Sequence, residues 1–229
     1  HATGIVVCWC GVIASSATLV IRRKYSTSSF WKDVQKFDAS AIGYVGELCR
    51  YLMDVPEYEL EKGHRVTKMI GNGMRPNIWD KFKARFGIEE VLELYASSEG
   101  NVGFSNVFNF DNTVGFSPTP YAVIQYDKEK NEPVRDKNGW CIKVKKGEVG
   151  LLVGKITRRS PFDGYTDPEK NKAVVMTNVL KKGDAYFNTG DLVRDIGFRH
   201  AQFVDRLGDT FRWKGENVST TQVENIVSD

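Results

Sequence analysis

The chain has 229 residues, of which 41% are hydrophobic and 12% aromatic, and this composition excludes disordered, collagen-like and disulfide-scaffold proteins. Lys and Arg number 32 and Asp and Glu number 29, so the formal net charge is +3. This small excess does not indicate a nucleic-acid-binding surface, and we expect no nucleic-acid partner. Cys8, Cys10, Cys49 and Cys141 lack the spacing of a zinc site, which predicts reduced, mostly buried thiols and a cytoplasmic protein.

The beginning of the chain runs from residue 2 to residue 21 without a charge and is followed by Arg22-Arg23-Lys24. Its length alone permits a membrane-spanning helix with a basic anchor. Gly4, Gly11 and the small residues at 15–18 instead favour an apolar segment, a turn and a short strand over the last four residues. A signal peptide is disfavoured because the basic residues follow the apolar run. The sequence leaves open whether the protein contacts the inner face of a membrane.

Helices and strands alternate after residue 25. Apolar spacing predicts two helices, one capped by Ser28 or Ser29 and one over residues 42–53. A third helix carries Trp79, Phe82 and Phe86 and ends at Gly87, and strands are predicted at residues 66–70 and 91–95. This alternation is typical of a mostly parallel α/β sheet with helical crossovers.

The second half of the sequence has short strands and frequent turns. Strands are predicted at residues 121–126, 149–153 and 201–204, with helices over 169–179 and from Ser219 onward. Closely spaced turns between short strands indicate a small antiparallel, barrel-like subdomain. The predicted fold class is therefore α/β, a mostly parallel sheet followed by this subdomain.

Two polar segments follow predicted strands of the parallel sheet. Gly71, Asn72 and Gly73 could bring peptide groups against a flat base, although a simple tight turn explains them equally well. Residues 95–100, with the sequence YASSEG, offer an aromatic ring, hydroxyls for phosphate and a carboxylate for Mg²⁺. A helix cap would explain the last four of these residues without a function.

A third polar segment combines residues 186–191 with Asp205 and Arg206. Asp191, accepting hydrogen bonds from two vicinal hydroxyls beside Arg206, would make a ribose clamp. A surface ion pair worth less than ~1 kcal/mol is the alternative explanation.

Taken in order, these segments resemble the adenylate-forming superfamily of acyl-CoA synthetases, peptide-synthetase adenylation domains and luciferases. Residues 205–218, DRLGDTFRWKGENV, are most similar to long-chain and very-long-chain fatty acyl-CoA synthetases of the fatty acid transport protein type, especially bacterial ones. Residues 71–76, 95–101 and 161–165 match the same group. The resemblance covers essentially the whole chain.

The resemblance implies roles for residues at matching positions. Tyr95 would stack on adenine, Ser98 would contact phosphate and Glu99 would hold Mg²⁺, while Asp191 and Arg206 would hold the ribose.

The resemblance also implies that Gly71, Asn72 and Gly73 line the adenine and acyl-adenylate pocket, and that His1 lies near the substrate carboxylate. Gly208 and Asp209 would form a hinge between two catalytic orientations. Lys214 would lie near the path of pyrophosphate or CoA. The implied catalytic group is thus His1, Glu99 and Lys214.

Enzymes of this group join a fatty acid to CoA in two steps. The carboxylate attacks the α-phosphate of ATP and releases pyrophosphate, and the CoA thiol then displaces AMP from the acyl-adenylate. The resemblance therefore implies a fatty acid, ATP and CoA as ligands and Mg²⁺ as the metal. Two alternatives remain open: a ligase for another carboxylate, and a lipid-binding or fatty acid uptake module without ligase activity.

Two parts of the family's catalytic apparatus do not occur in the 229 residues. These are a Ser/Thr/Gly-rich phosphate loop with a lysine, and the lysine of the family's C-terminal domain. We therefore expect an interior fragment with little or no activity of its own. Its expected parts are an α/β subdomain over residues 1–118, a barrel-like subdomain over 119–207, and a hinge with the start of a further domain over 208–229.

Overall fold

The computed structural model describes residues 3–97, 100–208, 210–213 and 216–227. The chain forms two compact units, which comprise residues 1–95 with 105–113 and residues 96–104 with 114–229. We call them the first and the second unit. The division expected at residues 118 and 207 stays a proposal.

The first unit begins with a π-helical segment, Thr3–Trp9, which continues as helix α1, Cys10–Ser15. Ile5, Val6 and Ile13 on these two turns are exposed. The strand predicted at residues 18–21 is wrong, because a strand requires a paired backbone and no described strand pairs with this segment. Within the described residues, no helix is both long and apolar enough to reach across a bilayer.

The sheet of the first unit has three parallel strands in the order β1, β2, β3. Their bounds are Ala41–Val45, Lys68–Asn72 and Glu90–Tyr95. The helices of this unit are α2, Thr27–Lys36, α3, Gly46–Met53, and α4, Pro76–Phe86, with a short 3₁₀ helix at Glu59–Glu61. The predicted parallel sheet with helical crossovers is thereby confirmed.

Helix α4 and its end agree with the sequence prediction. Trp79, Phe82 and Phe86 are all buried, and Gly87 follows the helix with φ 63°. Phe86 stacks on Trp31 of α2 with 4.8 Å between ring centroids. Aromatic packing of two helices therefore fills the core of the first unit.

The helix predicted over residues 42–53 is wrong in its first part, which forms strand β1. Ile42 and Tyr44 are buried while Ala41 and Gly43 are exposed, the alternation of a strand. Parallel pairing with β2 provides the tertiary contacts that override the helical spacing, and the helix begins only at Gly46.

Residues 105–113 return to the first unit and bind the backbone of β3. The amide of Asn106 donates to the carbonyls of Val91 (3.0 Å) and Phe110 (2.7 Å), and the Asn106 backbone N–H donates to the Glu93 carbonyl at 2.9 Å. The side-chain oxygen of Asn109 accepts from the Val91 N–H at 3.1 Å. Two asparagines thus satisfy polar groups along β3.

The second unit is built on an antiparallel sheet. Its strand order is β5, β12, β11, β9, β6, and β10 pairs with β11. The bounds are β5, Gly115–Phe116, β6, Tyr121–Ile124, β9, Val149–Lys155, β10, Val175–Thr177, β11, Ala185–Gly197, and β12, His200–Arg206. The predicted antiparallel arrangement is confirmed.

The remaining elements are short. They are β4, Phe104–Ser105, β7, Tyr126–Asp127, β8, Glu132–Pro133, α5, Pro168–Val174, β13, Thr210–Trp213, β14, Glu216–Ser219, and α6, Thr220–Val227. Helix α5 ends earlier than the predicted residue 179. Val175 pairs with Phe187 of β11 instead, because β-branched and apolar residues there gain a strand partner.

Candidate functional site

Residues 71–73, which are the last two residues of β2 and the residue after it, lead into a turn that is shaped by close approach of backbones. Gly71 lies beside Tyr44 of β1, where any side chain would collide with the Tyr44 carbonyl. Gly46, at the start of α3, lies equally close to the Gly73 carbonyl, and Gly73 has φ 82°. These positions favour glycine, and Gly71 and Gly73 present peptide groups without side chains on either side of Asn72.

A buried carboxylate, Glu93 of β3, holds this turn from the neighbouring strand. Its side chain is 2% exposed and accepts hydrogen bonds from the Tyr44 hydroxyl and the Gly73 N–H, with the Met74 N–H at 3.4 Å. Burial raises the pKa of Glu93 to about 7, against the opposing effect of these hydrogen bonds. Burial and then the Glu93 charge raise the pKa of Tyr44 and of the Cys49 thiol.

Asn72, the middle residue of the turn, contacts the start of the chain. Its side-chain oxygen accepts a hydrogen bond from the Thr3 hydroxyl. His1, predicted to lie near the substrate carboxylate, falls outside the described residues. The structure therefore brings the π-helical segment to the turn.

Tyr95, the predicted adenine platform, is the last residue of β3 and is half-buried. Ser98 and Glu99, the predicted phosphate and Mg²⁺ contacts, lie outside the described residues. Among the residues that the structure describes, no three His, Cys, Asp or Glu side chains are grouped so that they could hold a metal ion. A site that uses one carboxylate, as Mg²⁺ often does, requires no such group.

Asp191 and Arg206, the predicted ribose clamp, face each other on the adjacent strands β11 and β12. Arg206 Nε donates to Asp191 Oδ1 at 2.7 Å, and Nη2 donates to Oδ2 at 3.3 Å. The Asp191 side chain is 1% exposed and that of Arg206 is 55% exposed. The pair is therefore a bidentate ion pair with a buried acid and a solvent-facing base.

A bulge in β11 positions Asp191. The register with β9 shifts between Asn188 and Leu192, and Gly190 in this stretch has φ 72°. The Asn188 side chain accepts from the Gly190 N–H at 2.9 Å, and the Thr189 hydroxyl accepts from the Asp191 N–H at 3.1 Å. These local bonds fix the backbone that carries the acid.

Of the predicted hinge, Gly208 is exposed with φ 99°, a conformation that favours glycine. Asp209 and Lys214 lie outside the described residues.

The sequence interpretation missed the buried pair of Tyr44 and Glu93. The available indication was the alternation in VLELY, which places Glu93 on the same face of β3 as the apolar Val91. A charged residue at an inward position of a strand points to a buried partner.

The fold is similar to that of solved structures of other proteins. The crystal structure of ATP-bound MatB from Rhodopseudomonas palustris matches with a TM-score of 0.68 at 20% identity, over 98% of this chain and 42% of that chain. The model of the AMP-binding enzyme family matches residues 1–155, and the chain belongs to this family.

Two curated relatives are similar along nearly the whole chain. The medium/long-chain-fatty-acid–CoA ligase FadD6 of Mycobacterium tuberculosis is 48% identical over 98% of this chain, and long-chain fatty acid transport protein 2 of Rattus norvegicus is 46% identical over 99%. The chain spans 38% of the length of each of them.

Proposed function

We propose that this chain serves the ATP-dependent activation of a fatty acid and its transfer to CoA. The observation that carries this proposal is the 48% identity, over 98% of the chain, to a protein named as a fatty-acid–CoA ligase. Membership of the AMP-binding enzyme family supports ATP as the nucleotide. The proposal gives the residues the following roles.

Asp191 and Arg206 form the ribose clamp in this proposal. Arg206 donates to both oxygens of the Asp191 carboxylate and holds it in place. In the proposed complex, this carboxylate accepts hydrogen bonds from the two vicinal hydroxyls of the ribose, beside the half-exposed guanidinium of Arg206.

The turn at Gly71, Asn72 and Gly73 forms a wall of the adenine and acyl-adenylate pocket, with Tyr95 stacking on the base. Peptide groups without side chains let a flat ring approach the backbone. Glu93 keeps the Gly73 N–H engaged, so the turn does not rearrange when the ligand arrives. Preorganised contacts of this kind lower the free-energy cost of binding.

The phosphate contacts are assigned from the sequence alone. Ser98 would contact phosphate, and Glu99 would hold Mg²⁺, which offsets charge on the phosphates when it is bound. His1 would lie near the fatty carboxylate and Lys214 near the path of pyrophosphate or CoA. Gly208 with Asp209 would form the hinge.

The chemistry follows from these contacts. A carboxylate oxygen attacks the α-phosphorus of ATP, and the bond to pyrophosphate breaks. In the mixed anhydride, AMP is a good leaving group. The CoA thiolate therefore attacks the acyl carbon and displaces AMP. Binding contributes by holding the carboxylate in line with the scissile bond.

The name of the rat relative favours a second candidate, fatty acid uptake without ligase activity. We also propose a cytoplasmic location, with peripheral contact to the inner face of a membrane. The free thiols of all four cysteines support a reducing compartment, although only Cys49 and Cys141 are buried as predicted.

The test uses the complete natural protein that carries this chain. Asp191→Asn should lower kcat/KM for ATP about 10- to 100-fold, since it removes charged hydrogen bonds to ribose. Asp195→Asn, on the same strand, is the matched control and should retain activity.

ATP–pyrophosphate exchange is measured with a long-chain fatty acid, an aryl acid and an amino acid. Exchange with the fatty acid supports the proposal. Exchange with only the aryl acid or the amino acid would assign that carboxylate as the substrate instead of a fatty acid. Fatty acid uptake without any exchange would favour the transport function.

A further inference from the structure

The tip of the β11–β12 hairpin presents an aromatic side chain to solvent. Phe198, 84% exposed, and Arg199 form its two-residue turn, with φ values of 50° and 59°. Such a turn ordinarily takes Asn-Gly, because a bulky side chain is disfavoured at positive φ. A solvent-facing ring here contributes little to folding, which points to a role outside the fold.

The tip is held firmly by its neighbours. Arg199 donates to the carbonyls of Ser117 (2.8 Å) and Thr119 (2.5 Å), and its guanidinium lies over the rings of Phe116 and Tyr121. These contacts fix the backbone next to Phe198. The backbone that carries the ring is therefore held in place.

A basic turn, residues 145–148, adjoins the tip. The Lys146 side chain passes Gly197, and its ammonium lies 5.7 Å from the centre of the Phe198 ring. Arg194 donates to the Gly147 carbonyl at 2.6 Å, and the Gly147 N–H donates to the Asp195 carbonyl at 2.6 Å. The turn and the tip thus form one surface.

The charges of this surface are mainly positive. Its bases are Lys145, Lys146, Arg194 and Arg199, and its acids are Glu148 and Asp195. Both acids already accept backbone hydrogen bonds, from the Lys145 N–H at 2.7 Å and from the Gly197 N–H at 2.8 Å respectively. The lysine ammonium groups remain at the exposed rim.

We propose that this surface docks on an anionic lipid bilayer, with Phe198 inserted among the headgroups and the basic rim facing lipid phosphates. An aromatic ring surrounded by lysines matches the polarity of the bilayer interface. A convex tip needs no complementary pocket in a fluid surface, whereas a protein partner would have to supply one. The proposal rests on the peripheral membrane contact proposed above and assigns a surface to it, and it does not depend on the ligase function.

The test measures co-sedimentation of the complete natural protein that carries this chain with two kinds of vesicle: phosphatidylcholine alone, and phosphatidylcholine mixed equally with phosphatidylglycerol. We expect stronger binding to the mixed vesicles, weakened by salt. Phe198→Asn should lower this binding about tenfold, because the ring no longer inserts. Asparagine tolerates positive φ, so the thermal midpoint should be unchanged or higher.

Two further variants complete the experiment. Lys145→Glu with Lys146→Glu should abolish the preference for anionic vesicles. Phe37→Ser is the matched control, since Phe37 is also exposed beneath a lysine, with Lys36 5.3 Å from its ring centre, and it should bind as the unaltered chain does.

Three outcomes would overturn the proposal: no binding to either vesicle, unchanged binding of Phe198→Asn, or binding that is lost only when Ile5 and Val6 are replaced by serine. The last outcome would assign vesicle binding to the exposed face of the first helical turns.

Discussion

Glu93 in the first unit and Asp191 in the second are buried carboxylates near proposed ligand contacts, and they are satisfied in different ways. Glu93 of the first unit is 2% exposed and bonded to a phenol and backbone N–H groups. Asp191 of the second unit is 1% exposed and bonded to the guanidinium of Arg206.

The difference teaches that a buried acid can be compensated either by neutral donors or by an opposite charge. Neutral donors only partly compensate for burial, and the pKa of Glu93 is raised to about 7. A guanidinium instead supplies a full opposite charge next to Asp191. The first unit therefore contains an acid that changes charge near neutrality, and the second contains an acid paired directly with a guanidinium.

The largest expected effect comes from removing Glu93, the acid whose hydrogen-bond partners are neutral. At pH 5, Glu93→Ala should lower the free energy of unfolding by about 4 kcal/mol, because it leaves a cavity and an unpaired Tyr44 hydroxyl. Urea denaturation measures the loss. Glu93→Ala combined with Tyr44→Phe should recover part of it; no recovery would show that the hydroxyl does not depend on Glu93.

The free energy of unfolding, measured over a series of pH values, should report the raised pKa of Glu93. The folded state raises the Glu93 pKa from 4.5 to about 7 and so binds the proton more tightly than the unfolded chain. This contribution to stability is complete below pH 4.5 and is lost as the pH rises through 7, by about 3 kcal/mol.

Glu93→Gln should lack this decline, and the check is the difference in unfolding free energy between the two proteins at pH 5 and pH 8. A difference that is independent of pH would contradict the raised pKa.

The ion pair should respond unequally to loss of either partner. Arg206→Ala leaves a buried carboxylate without its cation and should cost about 2 kcal/mol, whereas Asp191→Ala leaves a guanidinium that water can solvate and should cost about 1 kcal/mol. Thermal unfolding of both variants tests this order. Equal losses would mean that water reaches Asp191 once Arg206 is removed.

The local sequence was sufficient to predict an element where the apolar spacing and the signal that ends the helix agreed. The spacing of Trp79, Phe82 and Phe86 with Gly87 after them defined α4, because every feature of that segment favours a helix. The segment at Ile42 satisfied helical spacing as well, but its partner strand decided otherwise. Pairing between distant residues is not visible in a local pattern.

The candidate site, like the fold, was predictable only in part. Asp191 and Arg206 were selected on motif, and the structure brings them together across β11 and β12. Glu93 and Tyr44 lie 49 positions apart, and no motif connects them. Their relation depends on the parallel register of three strands, which only the folded chain displays.

The return of residues 105–113 to the first unit has a practical consequence for dissecting this protein. The chain passes between the units after residues 95, 104 and 113, so no single cut separates them. A truncation at residue 95 would remove Asn106 and Asn109 and strip β3 of its bonded neighbour. Such a piece would expose an open strand edge ready to pair with another molecule. The two units are interleaved in sequence, and they have to be produced and studied as one chain.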